Sequence, residues 1–257
     1  MTPPVLGMDV IWTLARASVR AEERAAIAAR LSQVAAAGVK PADLVGRLAG
    51  HGLVPLAYRH LIAGGPIDLP PAFSAELAAE FRRHAVSRFR FARRLRELLD
   101  GLEAAGIDAA PYKGPALAIQ LYGNYAMRQY GDLDILVRPS QVERALRTLE
   151  EAGLVRHRPS GPEWEPYLRR TRHAHELHDP RAGVGIELHW SVADRFHGVD
   201  LDVAWLLDRP EVVDLLGRPT KTIGGARLLL AMCVHGSKHL WARAAWLAEL
   251  AELVRTR

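Results

Sequence analysis

Residues 112–137 read YKGPALAIQLYGNYAMRQYGDLDILV, and the alternation of strand and helix in and around this stretch decides the fold. A short strand candidate, IDAAPY, begins at Ile107. A helix, PALAIQLYG, follows, and DLDILV at 132–137 is a second strand. Period-two alternation puts Asp132 and Asp134 on one face of that strand and sends Leu133, Ile135 and Val137 to the core. Asp is a poor strand former, and two like charges about 7 Å apart repel, so a divalent cation would relieve the pair. At the turn before the helix, Gly114 suits the N-cap and Pro115 the first helical position. Ala116, Leu117 and Ala118 then offer amide N–H groups at the positive end of a helix dipole with Lys113 beside them, a ready anion site. Each signal has a plainer reading: Gly-Pro opens many helices, and an isolated Asp-x-Asp is often a solvated strand end.

A third carboxylate stands where a cation site needs it. In VGIELHWSV at 184–192, Glu187 and His189 share one face, and Ile186, Leu188 and Trp190 the other. Three carboxylates on neighbouring strands can hold two Mg²⁺ ions, one gripping nucleotide phosphates and one activating a hydroxyl. HAHELHD at 173–179 pairs with this strand as a hairpin around 180–183, giving a mixed sheet of about four strands. The helix SQVERALRTLEEAG is expected to start at Ser140 with Glu143 completing a capping box. A hairpin over 212–223 and closing helices from Gly225 complete the pattern.

Before Ile107 everything reads helical. In a long helix beginning near Pro71, Phe81, Ala85, Phe89, Ala92, Leu95, Leu99 and Leu102 form one apolar face. Arg82, Arg83, Arg90, Arg93 and Arg94 crowd the opposite face, a surface for RNA phosphates or simply a solvated one. The division expected is a helical region at 1–106, an α/β palm at 107–223 and a helical segment at 224–257.

The chain has 257 residues with 34 basic and 29 acidic side chains, and only four of the basic ones are Lys, a bias that discounts overall basicity as a sign of nucleic acid. No apolar run approaches the roughly 20 residues of a membrane span. The opening MTPPVLGMDVIW lacks the basic start of a signal peptide, so a cytoplasmic protein is expected. The single cysteine, Cys233, excludes an intramolecular disulfide and any Cys-rich metal centre. Alternation places His173 and His175 on one face and His178 on the other, which argues against a zinc cluster. His235 and His239 share a helix face but suit packing or capping.

The run from Tyr112 to Val137, followed by GIELHW and HGSKHLW, resembles the uncharacterised nucleotidyltransferase family of bacteria, within the DNA polymerase β-like superfamily. The likeness covers about residues 107–255 and is most specific at Lys113-Gly114, Arg128, Asp132-x-Asp134 and Glu187-x-His189-Trp190. It implies an α+β fold with a polymerase-β-like palm and mixed sheet, flanked by helical regions, and transfer of a nucleoside monophosphate from an NTP with Mg²⁺ or Mn²⁺. Asp132, Asp134 and Glu187 are then the catalytic and metal-binding residues. Lys113, Gly114, Arg128 and Lys238 are nucleotide-binding candidates, with Arg128 touching a phosphate or bracing a carboxylate, and His189 supports the carboxylates from behind. The acceptor is open: a small molecule, a peptide or an RNA. Rival readings are a nucleotide-binding or regulatory protein without turnover, and an Arg-rich RNA-binding module.

Overall fold

Helices α1 (Met8–Leu14), α2 (Ala21–Ala36), α3 (Pro41–Gly50), α4 (Val54–Tyr58) and α5 (Pro71–Ala104) precede the first strand, β1 (Ala109–Pro111). Then come α6 (Gly114–Tyr122), β2 (Asp132–Val137), α7 (Val142–Glu151), β3 (Val155–Arg156), α8 (Glu165–Thr171), β4 (Ala174–Asp179) and β5 (Val184–His189). The order ends with α9 (Val203–Leu207), β6 (Glu211–Asp214), β7 (Pro219–Thr222), α10 (Gly225–Lys238) and α11 (Ala244–Arg255). This computed structural model describes residues 6–157, 163–199 and 201–256; residues 1–5, which begin the stretch read for a signal peptide, lie outside the described residues. None of the described helices is long and apolar enough to cross a membrane.

The chain forms two compact units. The described residues up to Ser87, together with Ala126–Gln129 and Trp241–Arg257, make the first, and those of Arg88–Tyr125 and Tyr130–Leu240 the second. The first unit is helical. Ile11, Leu31, Leu48 and Leu53 are fully buried in it, and Tyr58 stacks on Phe81 with ring centroids 4.0 Å apart. An ion pair is also enclosed there: Arg128 Nε and Nη2 reach the two carboxylate oxygens of Glu249 at 2.8 and 3.2 Å.

The second unit is built on a five-stranded mixed sheet, one strand more than the alternation pattern suggested, in the order β1-β2-β5-β4-β3. The added edge strand, β3, is only two residues long, too short to leave a periodic signal. Only β2 and β5 run parallel; the other neighbours are antiparallel. The β4–β5 hairpin closes through Asp179, whose Oδ1 accepts the backbone N–H groups of Arg181 at 2.9 Å and Ala182 at 3.1 Å. One face of the sheet, with Leu133, Ile135, Leu177, Ile186, Leu188 and Trp190, packs into a common core with the α5 side chains Leu95, Leu98 and Leu102 and with α7. Burying one face fixes the register, because a one-residue slip would send the whole apolar set to the opposite side. The β6–β7 hairpin, expected over 212–223, forms a separate two-stranded sheet.

Three local expectations are corrected. Phe89 is 45% exposed instead of lying on the apolar stripe of α5. The buried stripe runs through Arg88, Phe91, Ala92 and Leu95, and Arg88 enters it because its guanidinium lies over the rings of Phe91 and Tyr130, 4.1 and 4.5 Å from their centroids. Ser140 does not cap α7: Pro139–Gln141 forms a 3₁₀ turn, and Gln141 takes the cap position with no side-chain bond. At α6 the N-cap is Lys113, and Gly114 is already the first helical residue, with φ at +55°. Only glycine enters that left-handed region without strain.

Candidate functional site

The β2–β5 register decides which polar groups meet. Asp132 lies opposite Gly185, Asp134 opposite Glu187 and Leu136 opposite His189. Asp132, Asp134, Glu187 and His189 therefore line the face of the sheet turned away from the core. β1 pairs with the other edge of β2, and the chain leaves it through Tyr112 into Lys113 and the start of α6. That connection delivers Lys113 to the carboxylates.

Two of the carboxylates, Asp134 and Glu187, have close partners. Lys113 Nζ lies 2.5 Å from Asp134 Oδ1, with the two side chains only 8% and 2% exposed. His189, wholly buried, lies between two carboxylates: its Nε2 is 3.1 Å from Asp134 Oδ1 and 2.9 Å from Glu187 Oε2. Its other nitrogen, Nδ1, has no hydrogen-bond partner among the described residues. Tyr112 presents its ring edge-on to His189, with centroids 5.2 Å apart.

These contacts shift the titrations in consistent directions. Burial opposes the charge of Asp134, but the Lys113 ammonium and the His189 hydrogen bond outweigh it and hold the carboxyl well below the usual carboxylate range. Burial likewise opposes the Lys113 charge, and the surrounding carboxylates, Asp134 foremost, push the ammonium above the ordinary lysine range. The His189 hydrogen bond lowers Glu187. Burial would lower His189 itself, yet its bonds to Asp134 and Glu187 raise it.

A second polar group adjoins the first. His173 Nδ1 meets Asp194 Oδ1 at 2.5 Å, and Lys238 Nζ, from the last turn of α10, lies 2.9 Å from His173 Nε2 and 3.5 Å from the carbonyl of Val192. Burial is the largest influence holding the His173 imidazole down to about 4, followed by the His189 charge. Burial and then the charge of Lys113 lower Lys238.

His173 is a residue that alternation misassigns. It does not share a face with His175, because β4 begins only at Ala174, and the His173 carbonyl accepts N–H groups from both Trp190 and Ser191 at 3.0 and 3.2 Å. That bend turns its ring toward the site. His175 instead bonds Glu165 at 2.9 Å and packs on Trp190. Asp194 has no sequence signal of its own.

The structure thus brings together Lys113, Asp134, Glu187 and His189, adds Lys238 through His173, and puts Asp132 two residues from Asp134 on the same strand face. Gly114 opens α6 beside β2; a Cβ built on it would lie 3.6 Å from the Asp132 carbonyl oxygen. Among the amide groups expected at that helix start, the Leu117 N–H is directed at the Lys113 carbonyl at 3.5 Å. Arg128 belongs to the first unit, where its guanidinium braces Glu249. On α5, Arg83 is paired with Glu76 and Glu80, Arg93 with Glu97, and Arg94 with Asp179 and Glu97, so much of that positive face is neutralised internally.

Carboxylate oxygens are the ligands a hard divalent cation takes. Asp132, Asp134 and Glu187 present carboxylates from adjacent strands on one face, where the Lys113 ammonium and the His189 ring already lie against Asp134.

A family model described as uncharacterised nucleotidyltransferase matches residues 38–257, and the chain belongs to that family. No curated protein sequence matches the chain. Among solved structures, the chain is similar to an antigenic nucleotidyltransferase-like protein from Paracoccidioides brasiliensis, at 14% identity over 67% of this chain and 76% of that one, with a TM-score of 0.35.

Proposed function

We propose that this nucleotidyltransferase-family chain moves a nucleoside monophosphate from an NTP to an acceptor hydroxyl, releasing pyrophosphate, with the chemistry on the polar face of β2 and β5. The observation that carries the reading is the register that sets Asp134 beside Glu187, with Asp132 on the same face and the Gly114 turn at its edge. Asp132, Asp134 and Glu187 would hold Mg²⁺ or Mn²⁺, which when bound neutralises the triphosphate and acidifies the attacking hydroxyl.

The chain's own residues supply the rest. Lys113, buried and fully charged, offers the triphosphate a fixed cation that needs no reorganisation. The Gly114 turn lets backbone approach a phosphate where a side chain would intrude. Lys238 adds a second ammonium, able to turn from His173 to the leaving phosphates. Glu187, 31% exposed, is the most accessible of the acidic groups bound to His189, and takes the acceptor's proton or orients its hydroxyl. His189 fixes the spacing of Asp134 and Glu187 by bonding both. Arg128 enters as a brace on Glu249.

If the carboxylates and the Gly114 turn act together, ATP raises the melting temperature only when a divalent cation is present, because both are held by the folded state. Thermal denaturation with ATP and Mg²⁺, against ATP in excess EDTA, tests this. Equal stabilisation in the two would contradict the reading.

A further inference from the structure

The nitrogen-bearing edge of this site is unlike the hard-oxygen set on β2. One donor atom from each of His173, Glu187 and His189 lies within 4.8 Å of the other two. We propose that these three residues form a binding site for a divalent transition-metal ion of the zinc type, distinct in ligand chemistry from the Asp132/Asp134 oxygens, and that the Lys238 ammonium is the cation such an ion displaces.

Four observations converge on it. Asp194, itself nearly buried, takes the Nδ1 side of His173 at 2.5 Å and is steadied by Arg172 at 3.7 Å. A carboxylate on one imidazole nitrogen fixes ring and tautomer so that the other nitrogen presents its lone pair, the usual support behind a metal-bound histidine. His189 is wholly buried with its Nε2 aimed at two carboxylates, a position that calls for an N–H proton or a metal ion on that nitrogen. Lys238 Nζ, 2.9 Å from His173 Nε2, shows that a cation is already accepted at the remaining corner. Two imidazoles and one carboxylate favour zinc, cobalt or nickel over magnesium, which prefers oxygen. The carboxylate of Glu187 is common to both sets of donors, so this ion would sit at the edge of the proposed transfer site. Its binding does not depend on that transfer.

The test is titration of the full chain with Co²⁺ in the absence of nucleotide, read from the visible d–d absorption of the bound ion. A band appears, Zn²⁺ abolishes it, and excess Mg²⁺ leaves it. His173→Ala loses the band, and Asp194→Asn weakens Co²⁺ binding about 10–100-fold, as expected for a group orienting a ligand. Lys238→Met tightens it about tenfold, since a charged hydrogen bond no longer has to be broken. A misfolded variant cannot produce that gain. No cobalt band, a band retained in His173→Ala, or Co²⁺ affinity unchanged or weaker in Lys238→Met overturns the proposal. Because no nucleotide is present, either result is separate from success or failure of the transfer reaction.

Discussion

Removing the Lys113 charge is the sharpest structural perturbation of the site. In Lys113→Met a side chain of similar length fills the same space, but Asp134, 2% exposed, loses an ammonium at 2.5 Å. Breaking a buried pair by deleting one partner costs about 3–5 kcal/mol, because the remaining charge is stranded. His189 still donates to Asp134 from 3.1 Å, so the loss falls at the lower end, about 3 kcal/mol. At roughly 2–4 °C per kcal/mol, the melting temperature drops by about 6–12 °C. The assay is urea and thermal denaturation of the wild type, Lys113→Met, Asp134→Asn and the double variant. Neutralising both partners removes the stranded charge, so the double variant recovers much of the loss, with a coupling of about 2 kcal/mol. A cost below about 1 kcal/mol for Lys113→Met, or strict additivity in the cycle, would refute the view that these two charges hold each other in the core.

Arg128→Gln removes the guanidinium that reaches both oxygens of the buried Glu249 carboxylate and lowers stability by about 3–5 kcal/mol in denaturant melts, whereas a loss below about 1 kcal/mol would mean the pair is not structural. Gly114→Ala has ordinary space around the new methyl but keeps a backbone φ of +55°, so urea melts should show a loss of about 1–2 kcal/mol; unchanged stability would remove the argument from backbone strain. His60 is lowered from 6.5, chiefly by burial, so the folded state prefers the neutral ring. Its contribution is complete above pH 6.5 and is lost as pH falls through the folded value; His60→Gln should therefore flatten the fall in melting temperature on acidification, and an unaltered slope would contradict it.

Much of the second unit's architecture was legible because a strand with one buried face repeats at period two. DLDILV and GIELHW therefore announced both their apolar sides and the polar positions Asp132, Asp134, Glu187 and His189. Their parallel register was not legible, since β2 and β5 meet only after the chain has passed through α7, β3, α8 and β4. The same period misled at His173, which lies one residue outside the ladder, where strand geometry no longer sets the side chain's direction. Phe89 failed for a related reason: three- and four-residue steps drift around a long helix, and Arg88 took the inward place through aromatic faces. Arg128 stood out as an isolated cation beside the acidic strand. Its partner, Glu249, is 121 residues further on, beyond any local pattern.

Nucleotidyl transfer on the face bearing Asp132, Asp134 and Glu187 is measured most directly by label transfer. The full chain is incubated with each α-labelled NTP, Mg²⁺ or Mn²⁺ and cell extract as the source of acceptor, beside Glu187→Gln and Asp134→Asn. The wild type should label an acceptor. Glu187→Gln should keep metal-dependent NTP binding within a few fold while transfer falls by roughly 10²–10⁴, the range for losing a positioned base, and Asp134→Asn should damage both. Wild-type protein that binds Mg-NTP yet labels nothing, or Glu187→Gln that transfers at the wild-type rate, would contradict the account.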